Sequence, residues 1–146
     1  MSLWRREALA RFPEMRREIA DAEGLHLFWF EINYRLFEPA YASEPSDAAI
    51  IARVFDYAHW CLTHRSIEVR TAVVLGFYED LMWKSKTRQD LPRWISQDDF
   101  DMLGFAWEYA TKEKFADLRQ EFIANKARIE KEKRTKRNLW HNILSS

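Results

Sequence analysis

The sequence predicts an all-α protein, a single irregular bundle of about six helices around a central hairpin at residues 47–83. Three observations carry that expectation. Glycine occurs three times and proline four times in 146 residues, too few for the frequent turns of a strand-rich chain. Apolar residues recur at three- and four-residue spacing in one segment after another. Residues 67–83 are apolar almost all round, which suits a helix at the centre of a core. A chain of this length is most simply one domain, and it buries roughly 70% of the surface it would expose unfolded.

From the N-terminus, "WRREALARF" and "PEMRREIADAEG" read as two short helices, with Pro13 in the first turn of the second and Gly24 as its stop. Leu25 to about Tyr41 reads as a helix rich in aromatic residues. Glu31, Arg35 and Glu38 share one stripe of it, and His26, Phe30, Asn33 and Phe37 lie nearly opposite. Pro39 is expected to kink or end it. "SEPSDA" is a turn, with Ser46 as the cap of the next helix. Residues 47–64 place Ile50, Ile51, Val54, Ala58, Cys61 and Leu62 on one face and Arg53, Asp56, Trp60 and Thr63 on the other. A tight "HRS" turn leads into 67–83, and "KSKTRQDLPRW" reads as a loop. Ser96 then caps "SQDDFDML", whose acids suit the positive end of the helix dipole. Gly104 interrupts that helix. Thr111 is expected to cap a final long helix, which ends with Leu139, Trp140, Ile143 and Leu144 at helical spacing.

Charge divides the chain unevenly. Residues 126–137, "KARIEKEKRTKR", hold seven Lys/Arg against two Asp/Glu. The remainder holds sixteen against twenty-one, so an acidic helical domain (1–125) carries a basic helical extension (126–146). The single cysteine, Cys61, excludes an internal disulfide framework, and its place on an apolar face reads as an inert buried thiol. The opening "MSLWRREALARF" is charged where a signal peptide needs an apolar core. "LHLFWF" stops at Glu31, far short of a membrane span. The expectation is a cytoplasmic protein with no membrane partner.

The helices 47–64 and 67–83, joined by a very short turn, resemble one HEAT-type hairpin. Such a second helix commonly opens with a Val-Arg pair followed by small and aliphatic residues, as "SIEVRTAVVLGF" does here. Over about residues 11–120 the chain also resembles a family of small uncharacterised bacterial helical proteins, a domain of unknown function. The residues that carry this likeness are "RFPEMRREI" (11–19), "ARVFDYAHWCLTHRSIEVRTAVVLGFYEDL" (52–81) and "DMLGFAWEY" (101–109). The resemblance implies companions of bacterial toxins, some of them immunity proteins.

Arg70 stands among the valines of the central helix. A guanidinium on an apolar face must find carboxylates or carbonyls, and Asp56, Asp80 and Glu31 are candidate partners. Glu23 with His26, and Asp56 with His59, have the i, i+3 spacing of di-metal bundles, and Glu79, Asp80 and Glu108 are further carboxylates to consider. Gly24 breaks the first motif, and His59 lies at a polar edge, so neither a metal nor a cofactor is expected. No nucleophile–base pairing or Gly-rich phosphate loop is readable, and the chain reads as a non-enzyme. His26, Asn33 and Arg70 could instead line a ligand pocket. The basic tail could bind nucleic acid, although one tail on an acidic body weighs against it.

The favoured reading is a protein-binding module. Trp60, Trp83 and Trp94 would be aromatic anchors, and Glu79, Asp80, Asp98, Asp99 and Asp101 would meet a basic partner. With the resemblance, that partner becomes a toxin domain covered by an immunity-like protein.

Overall fold

The computed structural model describes residues 1–145, and among them every regular element is a helix or a helical turn. The chain is all-α, as its periodicity predicts. Its contacts divide it into two units, Met1–Leu81 and Met82–Ser146.

The first unit opens with α1 (Leu3–Arg11), a 3-10 turn (Pro13–Met15) and α2 (Arg16–Asp21). Gly24 does not stop α2, which closes on Ala22; it begins α3 (Leu25–Ile32). α3 widens into a π-helical turn (Asn33–Phe37) and runs on as α4 (Glu38–Ala42). The helical path therefore passes Pro39 instead of ending there. The widened turn just before the proline accommodates its ring and its missing N–H. Asp47, not Ser46, caps α5 (Ala48–Leu62): its carboxylate accepts from the Ile50 amide at 3.2 Å. After the short turn comes α6 (Ile67–Val73), a second π-helical turn (Val74–Tyr78) and α7 (Glu79–Leu81).

Aromatic rings fill this unit's core. Trp29 lies between Tyr57 and Phe77, with centroids 5.5 and 5.0 Å away. Phe37, Phe55 and Phe77 meet edge to face at 5.1–5.8 Å. Such pairs add about 0.5–1.5 kcal/mol each beyond the area they bury. Tyr57 is buried, and its hydroxyl donates to the Trp4 carbonyl at 2.9 Å, tying α5 to α1.

Two arginines close helix ends, and a third closes the turn between α5 and α6. Arg5 donates to the Ile19 and Ala22 carbonyls (3.2 and 2.6 Å) where α2 finishes. Arg53 donates to the Arg11 carbonyl (2.8 Å) where α1 finishes. Arg70 donates to the His64 and Arg65 carbonyls (2.8 and 2.9 Å) beyond α5. The last four carbonyls of a helix lack intrahelical donors, and a guanidinium offers five N–H groups in a fixed fork. Arg70 is half-buried, which corrects the expectation of a charge on a fully apolar face. Of the carboxylates considered for it, Glu31 pairs with Arg35 (2.6 Å) and Asp56 with Arg11 (2.7 Å).

The second unit starts with α8 (Ser85–Asp90) and a 3-10 turn (Leu91–Arg93), where a loop was expected. α9 (Gln97–Met102) is capped by Ser96, whose hydroxyl accepts from the Asp99 amide at 3.1 Å. The break falls at Leu103, one residue before Gly104, and α10 (Gly104–Thr111) ends on Lys112 at φ 62°. Thr111 finishes α10 and does not cap the next helix: its hydroxyl donates to the Trp107 carbonyl at 2.8 Å. α11 (Phe115–Ser145) is one helix that includes the basic segment without a break. Phe100 stacks on Trp107, Phe115 and Phe122 at 5.6, 5.8 and 4.3 Å. Arg88 clamps α8 to α11 through Glu121 (2.6 Å) and meets both oxygens of Glu113 (2.8 and 3.0 Å) in the turn before α11.

Candidate functional site

α3 buries Leu25, Phe28, Trp29 and Ile32, so Leu27 and Phe30 point outward. The π-helical turn continues that stripe with Tyr34, which is 73% exposed. α6 buries Ala72 and Val73 and leaves Ile67 and Thr71 outside; the second π-helical turn adds exposed Leu75. α3 and α6 pack together. Beside them lies a cleft of about 410 Å³ lined by His26, Ile67, Glu68, Thr71, Ala72 and Leu75. The His26 ring, 5.1 Å from that of Phe30, joins the cleft to the α3 stripe.

This surface rests on a close approach of the two helices. A Cβ on Gly76 would stand 2.8 Å from the Trp29 Cβ, so only glycine fits without a backbone shift. The Asn33 amide donates to the Gly76 carbonyl at 2.8 Å, and each residue lies in a π-helical turn. Such turns interrupt the regular hydrogen-bond ladder, re-aim side chains and recur at functional sites.

His26, Asn33 and Arg70 do not converge on one pocket. His26 lines the cleft, Asn33 holds Gly76, and Arg70 closes the hairpin turn. The three tryptophans also differ. Trp60 is half-buried, stacked on Tyr57 at 5.9 Å and 4.9 Å from the His64 ring, which gives it a packing role that its polar helix face concealed. Trp94 is half-buried, and Trp83 is 71% exposed. Trp60, Glu79 and Asp80 belong to the first unit; Trp83, Trp94, Asp98, Asp99 and Asp101 belong to the second. Burial, and secondarily the charge of Asp80, raises the Glu79 carboxyl above its ordinary range. Asp98 is exposed and Asp99 is buried, while Asp101 pairs with Arg119 at 3.0 Å.

Met102, Phe105 and Tyr109 form an exposed ridge along α9 and α10, with Phe105 89% exposed and the Lys112 ammonium 4.5 Å from the Tyr109 ring centre. Sequence reasoning missed this ridge and the Leu27–Phe30–Tyr34 stripe. The signal was present in both cases: apolar residues at three- and four-residue spacing on two sides of one helix, only one of which can face the core.

Asp56 is held by Arg11, and Glu23 precedes α3. Among the described residues no three His, Cys, Asp or Glu side chains gather as metal ligands. Burial pushes the Cys61 thiol up to about 12, against the lowering influence of Tyr57 and Trp29, which keeps it protonated and poorly nucleophilic near neutral pH. No helix among the described residues is long and apolar enough to cross a membrane.

A family model described as Domain of unknown function (DUF7674) matches residues 5–98, from α1 into the start of α9. No curated protein and no solved structure matches the chain.

Proposed function

The chain belongs to this family of domains of unknown function, and on that premise we propose that it is a non-enzymatic protein-binding module. The observation that carries the reading is the α3–α6 surface. Ile67 and Leu75 are exposed at a cleft that His26 joins to exposed Phe30, and Leu27 and Tyr34 stand exposed farther along the same helical path, which the Asn33–Gly76 bond ties to the second π-helical turn. Apolar surface around a groove suits a protein partner, and aromatic residues are the commonest anchors there. The surface lies within residues 5–98, the part that the family shares.

The finer reading is a cytoplasmic, bacterial immunity or antitoxin-like protein that occludes a cognate toxin. Its support is the resemblance of residues 11–120 together with charge. Outside residues 126–137 the chain holds sixteen Lys/Arg against twenty-one Asp/Glu, so a basic toxin surface would be drawn to it.

Affinity capture from the native host tests the reading, using the full chain and the double variant Phe30→Ser/Tyr34→Ser. Wild type should retain one stoichiometric protein. The variant should fold by circular dichroism and bind at least about 2 kcal/mol more weakly. Undiminished binding by the folded variant would move the interface elsewhere. Co-expression with the products of neighbouring genes tests immunity, and protection against none of them would remove that finer reading.

A further inference from the structure

The apolar stripe of α11 does not stop where its buried contacts stop. Leu118, Phe122 and Ile129 are buried. At the same helical spacing the stripe continues through Lys133 and Lys136 to Trp140 and Ile143, all of them exposed. Leu139 and Leu144 flank it, also exposed. Asn138, Asn142 and Ser145 fall on the opposite side. Residues 133–145 contain Lys133, Arg134, Lys136 and Arg137 and no Asp or Glu. The segment is therefore a cationic helix of about 20 Å with one apolar side.

Charge decides what that side fits. A second copy docked stripe to stripe in parallel would bring Lys133 and Lys136 against the same residues of its mate, where like charges repel, and an antiparallel copy would set them against the Ile143 end of the stripe with no Asp or Glu to meet them. Nucleic acid would neutralise the cations but would leave Leu139, Trp140, Ile143 and Leu144 without a burial site. An anionic lipid surface uses both sets. Headgroup phosphates and carboxylates take the cations, and the boundary with the acyl chains takes the aliphatic residues, with the indole at headgroup level.

We propose that residues 133–145 are a docking helix for an anionic lipid surface, lying in the plane of the headgroups. The expectation of no membrane partner rested on the lack of a spanning run, and a helix that lies on a membrane needs none. The lysines on the apolar stripe reach the headgroups by extending their stems, as long cationic side chains do at interfaces. Each cation near such a surface strengthens binding about fivefold.

Co-sedimentation of the full chain with phosphatidylcholine vesicles, with and without phosphatidylserine, tests the proposal. Wild type should bind only the serine-containing vesicles, and less tightly as salt rises. Lys133→Glu/Lys136→Glu should lower partitioning by at least about tenfold. Trp140→Ser/Leu144→Ser keeps every charge and should also lower it about tenfold or more, with the helical signal unchanged. Three outcomes would overturn the proposal. The first is no vesicle binding by the wild type. The second is equal binding to neutral vesicles. The third is full binding by the Trp140→Ser/Leu144→Ser variant, which would mark a purely electrostatic segment; matching retention of duplex DNA would then assign it to nucleic acid.

Discussion

The two units differ in what their arginines reach. Residues 1–81 contain nine arginines and no lysine; beside ion pairs such as Arg11–Asp56 and Arg53–Glu14, Arg5, Arg53 and Arg70 reach carbonyls at helix ends and in the hairpin turn. In the second unit Arg88, Arg93 and Arg119 reach carboxylates, joining α8, its 3-10 turn and α9 to α11. The difference follows from the cores. The first unit has several short helices whose ends must be closed away from water, around a lattice of stacked rings. The second has one long helix, and its shorter pieces are strapped to that helix by exposed ion pairs. Carbonyl capping is insensitive to pH in the ordinary range, because neither partner titrates there. Carboxylate clamps are not.

The largest break in that contrast comes from the ring lattice. Trp29→Ala removes the ring between Tyr57 and Phe77 and should cost about 3–5 kcal/mol in denaturant unfolding. Next, one substitution placed in both units should give unequal results. Gly76→Ala drives a Cβ to 2.8 Å from the Trp29 Cβ, which is fixed to its helix, and should cost about 1–3 kcal/mol. Gly104→Ala meets the Phe115 ring at 3.1 Å, and an intermediate-exposure ring can turn aside, so the cost should stay below about 1 kcal/mol. Equal losses would show that the approach at Gly76 is no tighter than the one at Gly104.

Arg70→Ala removes donors from two carbonyls at a half-buried turn and should cost about 1–3 kcal/mol, without the dependence on acid expected of a broken ion pair. A smaller effect than that of Arg70→Ala is expected from the clamp. Arg88→Met should cost about 1–2 kcal/mol near neutral pH, a modest figure because Glu113 and Glu121 remain nearly half exposed. Here pH sharpens the comparison. Arg88 lowers the Glu113 carboxyl below its ordinary value of 4.5, and Arg93 with Arg128 lowers Glu132. Their ionised forms favour folding, so this stability is complete above 4.5 and fades as pH falls through the lowered values. The Arg88→Met deficit should shrink over that range, while the Arg70→Ala deficit should not. Glu79 has the reverse sign: its raised carboxyl makes the ionised form costly, so acidification relieves strain in the first unit. Unfolding curves of the three proteins across pH 3–7 would check both signs.

Helical class, the central hairpin and the Ser96 cap were legible because each depends on residues close in sequence. Burial of Ile51, Val54, Ala58, Cys61 and Leu62 follows from spacing alone, while Ile50, expected on the same face, stays half-buried in the first turn of α5. The placement of Asp99 inside and Asp98 outside was not legible, since both suit the first turn of a capped helix. Trp60 misled for a related reason: it shares a face with Arg53 and Asp56, yet a ring wide enough to stack on Tyr57 need not point at the core to be half-buried.

By itself the sequence determined that the chain is helical, which face of α5 turns inward, and that positive charge gathers after residue 125. These are local properties, set by a period of about 3.6 residues and by the backbone groups that each helix end leaves open. Only the tertiary structure decided where the arginines reach, because Arg53 and the Arg11 carbonyl lie far apart in the chain and meet through packing. It also decided the close approach at Gly76 and the bond from the Asn33 amide to its carbonyl, which link the two π-helical turns and do not exist until the helices are side by side.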